Sequence, residues 1–480
     1  MERPIEPSAS HSLRCRTRYA AGTSLCNNNK RTIRMNKNKM ALLLLFPLCM
    51  ASSAYAAVSA EQAKQLGTTL TPVGAEVAGN ADGTIPKWTG GFQQKPAGHQ
   101  PGSFSPIPFP DEKAKFQITA ANADEYKAKL SESVYYMLKN YPDYRLDVYD
   151  THRTASAPQW FYDYAAKNAV NATSAKDGLA IENAYGGTPF PIPKTGSEVL
   201  WNHLLSWKGT AVDTLYRLYM VDGSGRRSLT SVIDINEFFR YSLPGGEKDF
   251  DGWWWWHRAK TTAPGRSAGE ALVGLFPNDY EARQPGSWQY MPGQRRVRKL
   301  PNVQFDTPNF YVSGLAQFDE AYGFFGSPEQ YDWKLVTKRE MYIPYNTNAL
   351  LAADPEKTLG GKFIDPSVVR WELHRVWEVE GTLKSGKRNA APKRKLFMDE
   401  DSWAIVASDL YDAQGKLWRG GIGYTAVSYD LPGVITLPYQ SLDFQQRAYT
   451  IAGYIKNYTP VEPRPRSYFT AEALTQDALR

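Results

Sequence analysis

Between Val369 and Val379 the chain alternates with a period of two. Val369, Trp371, Leu373, Trp377 and Val379 fall on one side, and Arg370, Glu372, His374 and Glu378 fall on the other. Successive side chains of a β-strand point to opposite faces, so the pattern predicts a strand with one buried face and one wet face. Such a strand belongs in an antiparallel sheet, because parallel strands are covered on both sides. Strand-like stretches recur at 210–221, 226–242, 287–291, 294–300, 333–343, 367–383, 394–399, 402–411, 416–429 and 445–453. Gly223-Ser224-Gly225 and Asp412-Ala413-Gln414-Gly415 read as turns between neighbouring strands.

Helical spacing is rarer. Tyr126, Leu130, Val134, Leu138 and Tyr141 form one stripe and predict a helix over 119–141, ended by Pro142. Shorter helices are expected at 159–168, from an N-cap at Ser197 to Trp207, at 308–323, at 345–353 and after Thr470. Residues 57–118 are rich in Gly and Pro and read as an extended arm. The expected class is α+β and β-dominated: a large curved antiparallel sheet, an open half-barrel, with helices covering one face and an extended N-terminal arm. The expected divisions are arm plus helices over 57–209, the curved β domain over 210–460 and a C-terminal helix within 461–480.

The N-terminal residues read as an address. Lys37 and Lys39 precede the apolar run Met40–Met50, and Ala54-Tyr55-Ala56 gives the small-x-small pattern of signal peptidase. Eleven residues span about 16 Å as a helix, roughly half of a bilayer core. The segment 35–56 is therefore expected to be a cleaved secretory signal, cut between Ala56 and Ala57. Residues 1–34 fit no such signal and read as a misassigned N-terminal extension. Phe46-Pro47-Leu48 precede Cys49 where a lipobox needs small residues, which argues against lipidation. The expected location is the periplasm of a Gram-negative cell, with the cleaved chain soluble.

This leader holds Cys15, Cys26 and Cys49, all three cysteines of the chain. After cleavage, disulfides, thiol nucleophiles and cysteine-based zinc sites are excluded. The formal charge of +7 belongs to the same segment. Nine of the 56 Lys and Arg and two of the 49 Asp and Glu lie in residues 1–56, which leaves 47 of each. A neutral remainder offers no general attraction for nucleic acid.

Chemistry-bearing motifs are sparse. His99, His152, His203, His257 and His374 do not fall at metal-ligand spacing, and there is no HExxH, GxSxG, P-loop or GxGxxG helix start. Asp399-Glu400-Asp401 and Asp249 with Asp251 lie in predicted turns and read as solvated loops. No metal, cofactor or catalytic residue is expected. Arg295, Arg296 and Arg298 read as a wet strand face or as a site for an acidic headgroup or partner. Trp253, Trp254, Trp255 and Trp256 lie between Pro244-Gly245-Gly246 and Pro264-Gly265 and read as an exposed aromatic loop, with cover by the arm as the alternative.

Four stretches carry a resemblance: residues 70–91, 184–210 and 288–308, and the segment Arg370–Arg419. They are similar to a Gram-negative periplasmic family of unknown function, labelled outer membrane lipoprotein-sorting-protein-like. The units Trp288–Arg298 and Asp409–Leu417 resemble the strand-turn-strand repeats of LolA/LolB carriers. The resemblance implies a curved antiparallel sheet closed by helices over an apolar cavity. It also implies an association with inner-membrane exporters that move apolar compounds.

The function expected is that of a periplasmic carrier or chaperone for a lipid or other hydrophobic molecule, working with an inner-membrane exporter or an outer-membrane protein. The expected lining is Trp371, Leu373 and Trp377, with Trp403 and Tyr424. The alternatives are a non-carrier interaction module of an envelope transport complex and a secreted hydrolase.

Overall fold

Twenty strands account for most of the regular structure. They are β1 Phe116–Ile118, β2 Leu146–Val148, β3 Thr173–Ala175, β4 Ala180–Glu182, β5 Ala211–Val221, β6 Arg227–Phe238, β7 Trp253–Ala263, β8 Ala271–Pro277, β9 Gly286–Met291 and β10 Arg296–Lys299. The second half adds β11 Tyr331–Pro344, β12 Leu359–Gly360, β13 Phe363–Ile364, β14 Arg370–Leu383, β15 Lys393–Asp399, β16 Ile405–Tyr411, β17 Leu417–Ser428, β18 Gly433–Asp443, β19 Ala448–Tyr454 and β20 Thr459–Pro460. The computed structural model describes residues 58–478, except 93, 104, 302 and 304. The Ala56–Ala57 cleavage point and the whole leader lie outside the described residues.

Sixteen of the strands form one sheet in the order β1-β2-β14-β15-β16-β17-β18-β19-β5-β6-β7-β8-β9-β10, with β11 also on β14 and β20 on β5. All pairs are antiparallel except β2 with β14. The ends of the order do not pair, so the sheet is open.

The sheet is also curved. Gly323 lies against Ile405 of β16, so close that a Cβ there would come within 2.3 Å of the isoleucine Cγ2. Two residues on, Phe325 packs on Phe276 of β8 with ring centroids 4.7 Å apart. These strands are seven places apart in the order, about 34 Å in a flat sheet. The covalent and contact path through Gly323 and Phe325 spans only about 25 Å at full extension. The sheet must bend round this segment, which lies on its concave side.

Helices are short and mark where local capping beats the expected period. The helix read over 119–141 is broken into Ala123–Tyr126, a 3-10 turn Lys127–Lys129, and Glu132–Asn140. Leu130 is extended and the Ser131 hydroxyl accepts from the Val134 N–H, starting a new helix. Asp409 of β16 then accepts from the amides of Glu132 and Ser133 at 2.9 and 2.8 Å. The next predicted helix runs Gln159–Asn171. The third is Gly196–Leu204, capped by Thr195 rather than Ser197 in a capping box with Glu198. The helix expected over 308–323 is reduced to the 3-10 turns Phe310–Val312 and Phe318–Gly323.

The expected wet face of β14 is buried: Glu372 and His374 are at most 1 % exposed. The N-terminal arm runs beside it as extended chain. Glu76 N–H donates to Glu400, Ala78 O accepts from Arg375, and Val73 O accepts from the Trp403 indole. No helix among the described residues is long and apolar enough to cross a membrane.

Candidate ligand cavity

Alternation along β5 to β9 sends one set of side chains to the concave side. It comprises Tyr216 and Leu218 of β5, Ile233 and Ile235 of β6, Trp255 and His257 of β7, Leu272 and Phe276 of β8, and Ser287 of β9. Ala452 of β19 joins them, and Tyr311, Phe318, Tyr322 and Phe325 from the 3-10 segments form a roof. Between floor and roof lies a cavity of about 110 Å³. It is smaller than the roughly 150 Å³ engineered hollow that stays dry and admits benzene. At this volume it has room for one small ring or a short branched group at most, and a full acyl chain requires the roof to move.

Trp255 organises the aromatic wall. Its ring lies 4.8 Å from Phe276, 5.1 Å edge-on from Phe325 and 6.0 Å from Phe239 in a stack. These spacings are those of favourable offset and edge-to-face contacts. One polar edge interrupts the wall. The Tyr216 and Tyr322 hydroxyls are 2.7 Å apart, and Tyr322 donates to Glu237 Oε1 at 3.3 Å. Burial raises both phenols well above their ordinary range, so both remain donors.

The tryptophan run is not an exposed loop. Trp253–Trp256 open strand β7, and Trp254, Trp255 and Trp256 are each 4 % exposed. A register shift between Trp253 and Trp255 against β8 lets Trp254 and Trp255 share the core cluster beside the cavity. Trp256 turns to the other face, against Phe238 and Phe469. Phe469 leads into the C-terminal helix Ala471–Ala478, so both faces of this strand are covered. The cover is the C-terminal segment and the roof rather than the N-terminal arm.

None of the expected lining residues borders the cavity. Trp371, Leu373 and Tyr424 pack in a separate core with the helix Glu132–Asn140. Trp377 and Trp403 stack 5.9 Å apart in another. Arg295, Arg296 and Arg298 are exposed on and beside β10, an end strand of the sheet, with Val297 turned inward. The lining escaped the sequence reading because it depends on which strands share a face across the sheet, although the alternations Tyr216/Leu218 and Ile233/Ile235 were visible.

Asp399-Glu400-Asp401 is likewise not a solvated loop, since all three residues are buried. Arg153 takes Asp401 at 2.8 and 2.6 Å, Arg375 takes Glu400 at 3.2 Å, and Lys338 takes Glu400 at 3.2 Å. His374 contacts Glu372 at 3.2 Å and stacks on Tyr345. Burial and the neighbouring Asp401 push the Asp399 carboxyl above the usual range. His374, Asp399 and Asp401 bring donor atoms within 4.8 Å of one another. Arg153 already supplies a cation to both Asp401 oxygens, and the cluster is an ion-pair network that holds the arm to β14 and β15.

An open, curved antiparallel sheet wrapped over an apolar cavity defines the class: a β-dominated cavity protein with a roof of short helical turns. More particularly, the chain belongs to the family described as protein of unknown function (DUF1329), whose model matches residues 117–480. The uncharacterized protein PA3922 of Pseudomonas aeruginosa is 38 % identical over 392 residues, covering 79 % of this chain and 84 % of that one. A solved DUF1329 family protein from Desulfovibrio piger aligns with a TM-score of 0.40 at 13 % identity, over 56 % of this chain and 92 % of that one. A domain from Vibrio parahaemolyticus named for outer membrane lipoprotein sorting gives 0.39 at 12 % identity, over 58 % and 97 %. The LolA superfamily protein NE2245 of Nitrosomonas europaea gives 0.35 at 10 %, over 58 % and 100 %. The family is the one the sequence motifs resemble.

Proposed function

We propose that this protein is a periplasmic, non-catalytic carrier or chaperone that holds part of a hydrophobic molecule in the cavity beneath β5–β9. The observation that carries the reading is the cavity itself, walled by Trp255, Phe276, Phe318, Phe325, Ile233 and Leu272. Removing apolar surface from water there contributes about 25 cal/mol per Å², so even ~150 Å² of buried ligand surface is worth several kcal/mol before ordering costs. The exposed arginines at β10 are placed to meet an acidic headgroup, an inner-membrane exporter or an outer-membrane protein.

The interaction-module reading loses its main support with the burial of Trp254–Trp256, and only the basic edge at β10 still favours it. A hydrolase acting in this cavity would need a nucleophile hydrogen-bonded to a base, and Ser287, which lines it, makes no such bond. Native mass spectrometry of the protein taken from the periplasm tests the carrier reading. A co-purifying mass removed by organic extraction is the expected result. A bare chain mass that stays bare after incubation with total membrane lipid counts against it.

A further inference from the structure

The strand register places a row of polar groups across the cavity floor. Glu237 of β6 pairs with His257 of β7, His257 pairs with Gly274 of β8, and Gly274 pairs with Ser287 of β9. Directly paired residues of antiparallel strands point to the same face, and His257 and Ser287 both line the cavity. Gly274 leaves the position between them without a side chain. A Cβ there would stand 2.9 Å from the Phe276 ring and 3.8 Å from Ser287 Oγ. The imidazole and the hydroxyl thus stand on strands two spacings apart, about 9.6 Å between backbones, and the Phe276 ring lies over the glycine between them.

The polar atoms of this row are buried and unmatched. Glu237 Oε2, His257 Nδ1, Ser287 Oγ and Trp255 Nε1 make no hydrogen bond within the protein. Glu237 Oε1 lies 3.4 Å from His257 Nδ1, beyond a good bond. Buried polar groups are normally satisfied, and the unmatched Trp255 Nε1, His257 Nδ1 and Ser287 Oγ belong to residues lining one apolar cavity, which points to a ligand group. The indole N–H and the serine O–H donate, the serine oxygen also accepts, and His257 Nδ1 faces Glu237 Oε1. The Glu237 carboxylate opposes an anionic group, and the indole N–H and serine O–H are donors that an ammonium cannot accept.

We infer that the cavity selects an apolar molecule carrying one hydroxyl, its apolar part against Trp255 and Phe276 and its oxygen at Ser287 Oγ. The inference rests on the carrier reading and adds the chemical class of the ligand. Phenol and toluene, matched in shape, are the probes, with benzylamine and benzoate as charged comparators, titrated by calorimetry into the full exported chain. Phenol is expected to bind about five- to tenfold tighter than toluene, the effect of one net hydrogen bond. Ser287→Ala should reduce the ratio of phenol to toluene affinity to about one. Equal binding of phenol and toluene by the wild type, or a preference for either charged comparator, overturns the hydroxyl assignment and leaves the carrier reading standing. Failure of both toluene and phenol to bind overturns both.

Discussion

The hydroxyls of Tyr216 and Tyr322 meet at 2.7 Å, joining strand β5 to the roof segment Phe318–Gly323. Tyr322 passes a second bond to Glu237 on β6. Floor and roof of the cavity are therefore tied at their polar edge by one side chain. Tyr322→Phe leaves the Tyr216 hydroxyl and Glu237 without this partner and should cost about 1–3 kcal/mol. Tyr216→Phe keeps the Tyr322–Glu237 bond and should cost less. Urea denaturation of the two variants checks the order, and equal losses would mean that the bond to Glu237 contributes little.

Asp409 should make stability depend on pH in the acid range. It is fully buried, and burial pushes its carboxyl up to about 6 despite bonds from Ser133 and the Glu132 and Ser133 amides. Its folded pKa lies above the unfolded value near 3.9, so the folded state binds the proton more tightly. The resulting stabilisation is complete below about pH 4 and is lost as pH rises through about 6. Moving the carboxyl from about 4 to about 6 corresponds to about 3 kcal/mol. Asp409→Asn should remove this slope, and the difference between wild-type and variant stability across pH 4–7 measures it. Identical pH profiles would show that Asp409 does not titrate in that window.

The tryptophan run should behave as core. Trp255→Ala removes a ring packed on Phe276 and Phe325 and should destabilise by about 3–5 kcal/mol. Trp253, only part-buried at the start of β7, should tolerate Ser at a much smaller cost, below about 1.5 kcal/mol. Thermal unfolding of the two variants separates them. A mild Trp255→Ala would contradict the packing described.

The basic edge should act mainly through its charge. Arg296 and Arg298 are exposed, but Arg298 donates to the buried Gln289 Oε1 at 3.2 and 2.9 Å, so replacing both with Ser should cost less than about 0.5 kcal/mol at Arg296 and about 1 kcal/mol at Arg298. If the edge meets acidic headgroups, the same double variant should lose binding to vesicles containing phosphatidylglycerol, and wild-type binding should fall as salt rises. Salt-independent binding, or none, would remove headgroup recognition from this strand.

Much of the sheet was legible because many strands keep a two-residue period in their sequence, β14 among them although both its faces are buried. The periods at 210–221, 367–383 and 416–429 correspond to β5, β14 and β17. Strands β7, β8 and β18 were missed because both their faces are covered and the two-residue period is absent. Ala271–Pro277, buried at every position, shows a short apolar run that periodicity alone does not assign to a strand. The charged side of β14 was misread for a different reason. Glu372 and His374 look like a wet face until Arg370, Asn346 and the backbone amide of His152 are seen to bond the Glu372 carboxylate. Sequence spacing cannot reveal a partner more than 200 residues away. The cavity was unreadable for the same reason, since Trp255, Tyr322 and Ala452 meet only once the sheet has curved.

Filling the cavity tests the central claim most directly. Ala452 lines it from β19, and Ala452→Leu adds three carbons to a hollow of about 110 Å³. The measurement is native mass spectrometry of wild-type and Ala452→Leu protein purified side by side from the same host cells, with unfolding curves to show that both are folded. The expected result is a bound apolar molecule on the wild type and its loss, or at least a tenfold lower occupancy, on the variant. Equal occupancy of two folded proteins would place the ligand elsewhere and contradict the assignment of this cavity.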